Sequence, residues 1–89
     1  MEILKSASAG TIESSDAYVE IEPKEGGLDI QIESVVKEQF GEEISQAVKN
    51  VLDENGVKNA FVRVVDRGAL ECVIRARVEA AISRGKGEK

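Results

Sequence analysis

The residues of this chain that could take part in chemistry lie close together near its start. Glu13, Ser14, Ser15 and Asp16 place two hydroxyls and two carboxylates in four consecutive residues. A serine without a histidine or lysine base beside it is a poor nucleophile, but it can accept a group when another enzyme supplies the base. Serine and aspartate side chains also bond their own backbone in tight turns. The stretch therefore predicts either a plain turn or an acceptor site for an enzyme acting in trans.

The composition excludes several classes of function. With 89 residues the chain can form one small domain, and it contains no histidine and a single cysteine, Cys72. Without histidine, neither a catalytic site nor a metal site is expected. The net charge of −5 argues against binding to nucleic acid or to an anionic membrane. The lone cysteine and the absence of a signal-peptide pattern predict a cytoplasmic protein.

Three segments in the first part of the chain predict strands. Residues 2–10 alternate weakly and end at Gly10, whereas 17–22 and 28–33 alternate clearly between apolar and polar side chains. The polar stretch of Glu13–Asp16 then lies at the tip of a hairpin. A second hairpin is predicted between 17–22 and 28–33, with a loop at 23–27 that contains a proline and two glycines.

Residues 36–52 carry apolar side chains at spacings of three and four, which is typical of an amphipathic helix. Ser34 is a candidate N-cap. Gly41 costs about 1 kcal/mol inside a helix and could delay the start of the main helix to near Glu42. Asn55–Gly56 predicts the end of this helix, because both residue types tolerate the left-handed conformation.

The last part of the chain predicts one more strand and one more helix. Residues 60–66 are mostly β-branched or apolar and suit a buried strand. Residues 69–84 fit both a strand pattern and a helix pattern, but their length and the ladder of Glu71, Arg75 and Glu79 favour a helix.

The predicted fold class is α+β. The order β-β-β-α-β-α predicts a two-layer sandwich, in which a mostly antiparallel four-stranded sheet is covered on one face by two helices. A single domain is expected over residues 1–84, with a flexible C-terminal tail over 85–89.

Three further residues have more than one interpretation. Cys72 lies in an apolar run and is expected to be buried and inert. Asp66 precedes Arg67–Gly68 and is expected to bond a turn or cap a helix. Arg77 lies beside the apolar stripe of the last helix. Its stem is expected to follow the sheet while its head reaches water or an acidic neighbour. The alternative is a charged group held for a phosphate or carboxylate.

The sequence also closely resembles one known family, the acyl carrier subunits of citrate lyase, known as γ subunits. The matching stretches follow in the same order and spacing over nearly the whole chain: 9–16, 19–23, 37–41, 66–72 and 74–81. The related carrier of malonate decarboxylase has a similar serine followed one residue later by aspartate. The fatty-acid carriers differ, because they are helical bundles modified at an Asp-Ser-Leu motif, which is absent here.

The resemblance implies a non-catalytic carrier modified at Ser14, with Ser15 as its unmodified neighbour. In this family the serine holds 2′-(5″-phosphoribosyl)-3′-dephospho-coenzyme A through a phosphodiester, and the thiol of this group bears acetyl and then citryl thioesters. The implied partners are the α and β subunits of citrate lyase, which convert citrate to acetate and oxaloacetate, and a prosthetic-group transferase, the holo-carrier synthase.

Two other interpretations of the chain stay open. One is a carrier of the malonate decarboxylase type. The other is a small regulatory or scaffold α+β domain, in which Ser14, Ser15 and Asp16 form nothing more than a turn.

Overall fold

The computed structural model describes residues 2–35 and 37–86 and confirms the predicted order β-β-β-α-β-α. The elements are β1 (Ala7–Gly10), β2 (Ala17–Glu22), β3 (Leu28–Ser34), α1 (Lys37–Glu54), β4 (Ala60–Asp66) and α2 (Glu71–Gly85).

The four strands form one mixed sheet in the order β1-β2-β4-β3. Strand β2 pairs antiparallel with β1 and with β4, and β3 pairs parallel with β4. The predicted second hairpin, between 17–22 and 28–33, is therefore wrong, because β4 lies between these strands. Helix α1 connects β3 to β4, and this crossover connection lets β4 run parallel to β3. The apolar β4 takes an interior position beside β2, whereas the polar outer face of β3 suits an edge.

One face of the sheet is covered by both helices, as predicted. Alternate residues of the strands point to this face, and α2 packs over β1 and β2 while α1 packs over β3. The opposite face is polar, and there Arg63 forms ion pairs with Glu20 and Glu33 at 3.2 and 3.0 Å. The largest fully buried apolar side chains of the core are Val19, Ile21, Val48, Val51, Leu52, Val57, Val62, Val64, Val78 and Ile82.

The start of α1 differs from the prediction. The helix begins at Lys37 and continues through Gly41, so no break delays it to Glu42. Val36, with which the predicted stripe began, lies outside the described residues. Ser34 ends β3, and its hydroxyl donates to Oδ2 of Asp66 at 2.8 Å. That Ser34 also caps α1 stays a prediction.

The predicted end of α1 is confirmed. Gly56 has a φ of 71° and its N–H donates to the carbonyl of Asp53 at 3.0 Å. The N–H of Val57 donates to the carbonyl of Leu52 at 2.9 Å. This pair of bonds is the Schellman arrangement, which satisfies the last carbonyls of a helix.

Helix α2 resolves the ambiguity of residues 69–84 in favour of a helix. It includes Gly85, which the sequence pattern places in the predicted tail over 85–89. Gly85 is buried, and its carbonyl accepts hydrogen bonds from the N–H groups of Leu4 and Lys5 at 2.9 and 3.1 Å. Residues 87–89 of the predicted tail lie outside the described residues. Neither α1 nor α2, as far as they are described, is long and apolar enough to span a membrane.

The connection from β1 to β2 and the starts of both helices lie at the same end of the sheet. The register places Ala17 and Ser34 opposite Asp66, and Gly10 opposite Tyr18. Helix α1 follows β3 and α2 follows β4, so both begin at this end. We call it the tip end, and it carries Ser14.

Candidate functional site

Residues 13–16 form a tight turn at the tip of the β1–β2 hairpin, as the sequence predicts. The N–H of Asp16 donates to the carbonyl of Glu13 at 3.1 Å, which closes a β-turn. Ser15, the third residue of the turn, has a φ of 66°. A positive φ at this position is characteristic of a type II turn, where glycine is usual. Backbone strain of this kind persists only where the surrounding structure holds it in place.

Gly10 lets the two strands come together at the base of this turn. Its φ is 92°, and a Cβ at this position would lie 1.9 Å from the carbonyl oxygen of Ala17 and 3.1 Å from Cδ of Arg77. Glycine is therefore required both for its backbone conformation and for the space it leaves.

The Asp16 carboxylate is bonded on both oxygens. Arg77 donates from Nε to Oδ1 at 3.0 Å and from Nη2 to Oδ2 at 3.1 Å. The Thr11 hydroxyl donates to Oδ2 at 2.6 Å, and the N–H of Ala17 donates to Oδ1 at 2.7 Å. The hydrogen bonds from Arg77, Thr11 and Ala17 hold the pKa of Asp16 well below its usual range. Asp16 therefore stays ionised near neutral pH and serves as an anchor rather than as a general base.

The loop after β4 fastens the turn from a second side. The N–H of Ser15 donates to the carbonyl of Arg67 at 2.8 Å, and the N–H of Arg67 donates to the carbonyl of Asp16 at 3.0 Å. The loop is itself held by Asp66, which is 1% exposed and accepts the N–H of Ala69 at 2.8 Å. The prediction that Asp66 is a turn residue is confirmed.

Ser14 is the exposed residue that these contacts leave free. Among the described residues, Glu13, Ser15 and Asp16 all make hydrogen bonds, whereas Ser14 makes none. Its side chain is exposed to solvent, on a turn that the hydrogen bonds of Ser15 and Asp16 hold in place. The Ser15 side chain is also exposed, but the backbone of Ser15 is bonded to the β4–α2 loop. The Asp16 carboxylate is committed to Arg77. A serine without a histidine or lysine base is a poor nucleophile, so Ser14 suits a reaction in which another enzyme supplies the base.

The prediction for Arg77 is confirmed, and the prediction that Cys72 is buried is wrong. The head of Arg77 reaches an acidic neighbour, Asp16, which is 61 residues away in the sequence. Cys72 is exposed. The buried face of α2 begins at Ile74. Cys72 precedes Ile74 by two positions, and residues two positions apart on an α-helix point about 200° away from each other around the axis. Cys72 therefore lies on the solvent side. No cluster of metal-binding side chains occurs in residues 2–35 and 37–86.

The fold and the turn together define a class of protein. A small two-layer domain that exposes a serine on a rigid turn, with no histidine or lysine in that turn, is suited to receive a group from another enzyme. A family model described as an acyl carrier protein, the malonate decarboxylase delta subunit (MdcD), matches residues 4–85.

The curated relatives agree with this class. The citrate lyase acyl carrier protein of Escherichia fergusonii is 52% identical over 85 residues, covering 94% of this chain and 88% of that protein. Those of Klebsiella pneumoniae and Halothermothrix orenii are 53% and 44% identical, covering 94% of this chain and 88% and 89% of those proteins. The chain belongs to the citrate lyase and malonate decarboxylase family of acyl carrier proteins. The resemblance and the prediction of a non-catalytic carrier are confirmed.

The fold matches that of a known structure as well. A chain in the crystal structure of a Pseudomonas malonate decarboxylase hetero-tetramer in complex with malonate superposes with a TM-score of 0.81 and 24% identity. The match covers 94% of this chain and 87% of that chain. It confirms the α+β fold class.

Proposed function

We propose that this chain is the acyl carrier subunit of a citrate lyase and that its prosthetic group is attached to Ser14. The observation that carries the proposal is the isolation of Ser14. It is exposed and makes no hydrogen bond to the described residues, whereas both residues that follow it are fastened. The names of the relatives, which are citrate lyase acyl carrier proteins, support the choice of complex.

The surroundings of Ser14 fit the covalent attachment of 2′-(5″-phosphoribosyl)-3′-dephospho-coenzyme A. Attachment forms a bond between Oγ of Ser14 and phosphorus, displaces the leaving group of an activated precursor, and passes the hydroxyl proton to a base of the transferase. An exposed serine allows the transferase to approach, and the ion pair with Arg77 compensates the charge of the nearby Asp16. When bound, the group supplies the thiol that holds the acyl group as a thioester.

The turn has a mechanical role in this proposal. The group is tethered at a fixed point, and a tether raises the effective concentration of its load at the sites it can reach. The contacts of Asp16 and Ser15 keep the attachment point at the tip end while the carrier serves the α and β subunits of citrate lyase. We infer a multi-subunit complex in the cytoplasm.

A reconstitution experiment tests the function. Modified wild-type chain, combined with purified α and β subunits, is expected to support the cleavage of citrate to oxaloacetate and acetate. The Ser14→Ala variant, taken through the same modification step, is expected to support none. Activity of the α and β subunits without the carrier would overturn the proposal and favour a regulatory or scaffold domain.

A carrier of the malonate decarboxylase type is the second candidate, and the description of the matching family model favours it. The two candidates differ in their partners. If the chain co-purifies with malonate decarboxylase subunits and not with those of citrate lyase, the second candidate is correct.

A further inference from the structure

The exposed apolar side chains of the described residues are unevenly distributed over the molecule. Ile12, Val35, Phe40 and Leu70 belong to the tip end. Leu4 lies at the opposite end, where its N–H donates to the carbonyl of Gly85. Exposed apolar side chains that cluster at one place commonly mark a surface that another protein covers.

Two of these side chains border a groove between the first turns of α1 and α2. The groove has a volume of about 240 Å³. Phe40 is 48% exposed and Leu70 is 71% exposed. We call this feature the tip-end groove, and its apolar lining consists of Phe40, Ile44, Ala47, Ala69, Leu70 and Ile74.

The tip-end groove is joined to the serine turn by a short, fixed connection. Asp66 lines the groove, and the next residue, Arg67, bonds the backbone of Ser15 and Asp16 at 2.8 and 3.0 Å. The groove and the turn therefore hold a constant relative position. An enzyme that brings a base to Ser14 must cover the surface next to it.

The rim of the groove is acidic. Glu43 and Glu71 line it and are exposed, and neither has an ion-pair partner within the described part of the chain. Glu13 of the turn is also exposed and has no such partner there. An apolar centre with a charged rim is the usual arrangement of a docking surface. A complementary partner presents an apolar side chain surrounded by lysine or arginine.

We propose that the tip-end groove is the docking site for the transferase that modifies Ser14. The inference rests on the proposed attachment at Ser14. The transferase is preferred over the α and β subunits because it must act on Oγ itself, so its contacts have to lie within a few residues of the turn. The lyase subunits are reached through the attached arm and can stay further away.

The test compares variants at the two ends of the molecule. Leu70→Ser and Phe40→Ser remove apolar contact from the groove, and Leu4→Ser is the matched control, because Leu4 is 63% exposed at the opposite end. Steady-state modification by the transferase is followed by intact mass. We expect Leu70→Ser and Phe40→Ser each to lower kcat/KM about tenfold, because KM rises while kcat changes little. The kcat/KM of Leu4→Ser is expected to stay within about twofold of wild type. Urea midpoints no lower than that of wild type exclude misfolding for all three variants. The midpoint of Leu70→Ser is expected to rise, because Leu70 is the N-cap residue of α2 and serine can bond the first N–H groups of the helix.

A charge variant gives an independent measurement. Glu43→Gln combined with Glu71→Gln is expected to raise KM at low salt and to approach the wild-type KM at high salt, because salt screens exposed charges. Equal KM values for this variant and wild type at low salt would overturn the inference that basic residues of the transferase face the acidic rim of the groove.

The outcomes separate the docking inference from the proposed function. If Ser14→Ala is still modified, the attachment site is wrong. If Ser14→Ala is unmodified but Leu70→Ser and Phe40→Ser react like Leu4→Ser, only the docking inference is overturned. The docking inference alone is also overturned if the groove variants are modified normally but fail to support citrate cleavage. That result would assign the groove to the lyase subunits.

Discussion

Replacing Gly10 with alanine is expected to destabilise the domain by forcing open the base of the serine turn. The new Cβ would lie 1.9 Å from the carbonyl oxygen of Ala17, a separation at which the backbone must shift. The φ of 92° adds strain for any residue with a side chain. The strain costs about 1 kcal/mol and the overlap about 1–3 kcal/mol, so the free energy of unfolding should fall by about 2–4 kcal/mol.

Gly68 provides a matched control for this substitution. It has the same φ of 92°, but among the described residues no atom outside Gly68 and its two chain neighbours lies within 4 Å of the Cβ that an alanine would add. Gly68→Ala should therefore cost only the backbone strain, about 1 kcal/mol. The difference between the two variants isolates the steric overlap at the neck of the hairpin.

Urea unfolding at pH 7, followed by circular dichroism, measures both variants by linear extrapolation. The steric argument predicts that Gly10→Ala is less stable than Gly68→Ala by about 1–3 kcal/mol. Stabilities equal within about 0.5 kcal/mol would refute it, because they would mean that the hairpin accommodates a side chain at Gly10 without cost.

Three further variants test the exposure of Cys72 and the contacts of Asp66 and Arg77. Cys72→Ala should change the free energy of unfolding by less than about 0.5 kcal/mol and leave acyl transfer intact, since the thiol is exposed; loss of activity in folded protein would contradict this. Asp66→Ala, which removes the acceptor for the N–H of Ala69, should cost about 2–4 kcal/mol in the same assay, and a cost under about 1 kcal/mol would be inconsistent with its bonds. Arg77→Gln should lower stability at pH 7. Because its bonds lower the pKa of Asp16 in the folded state, ionised Asp16 stabilises the fold at any pH above the ordinary aspartate pKa of about 4. This contribution to the free energy of unfolding is lost as the pH falls below that value. The gap between Arg77→Gln and wild type should therefore narrow from pH 4 to pH 2 in urea titrations, and a constant gap would contradict the ion pair.

Local patterns predicted most of the elements because their causes are local. The β-branched run of residues 60–66 formed a strand with the predicted bounds, and Asn55–Gly56 ended α1 as expected. Alternation also predicted which face of 17–22 is buried. It could not predict the neighbour of that strand, because a period of two identifies a face and not a partner. The crossover through α1 decided the strand order.

The site was only partly predictable for the same reason. The hairpin tip with Ser14 follows from the polar stretch between two strand patterns, but the ion pair that fixes it joins Asp16 to Arg77, 61 residues later. No local pattern encodes such a contact. Cys72 was misplaced because residues 69–84 fit both a strand and a helix, and its apolar neighbours suggested burial before the helical face was known.

The proposed attachment of a prosthetic group to Ser14 is tested most directly by intact mass after co-expression with the transferase. Wild type and Ser15→Gly should each gain one adduct, since glycine accepts the φ of 66° that Ser15 adopts. Ser14→Ala should gain none. An adduct on Ser14→Ala, or its loss in Ser15→Gly, would contradict the assignment of Ser14 as the acceptor.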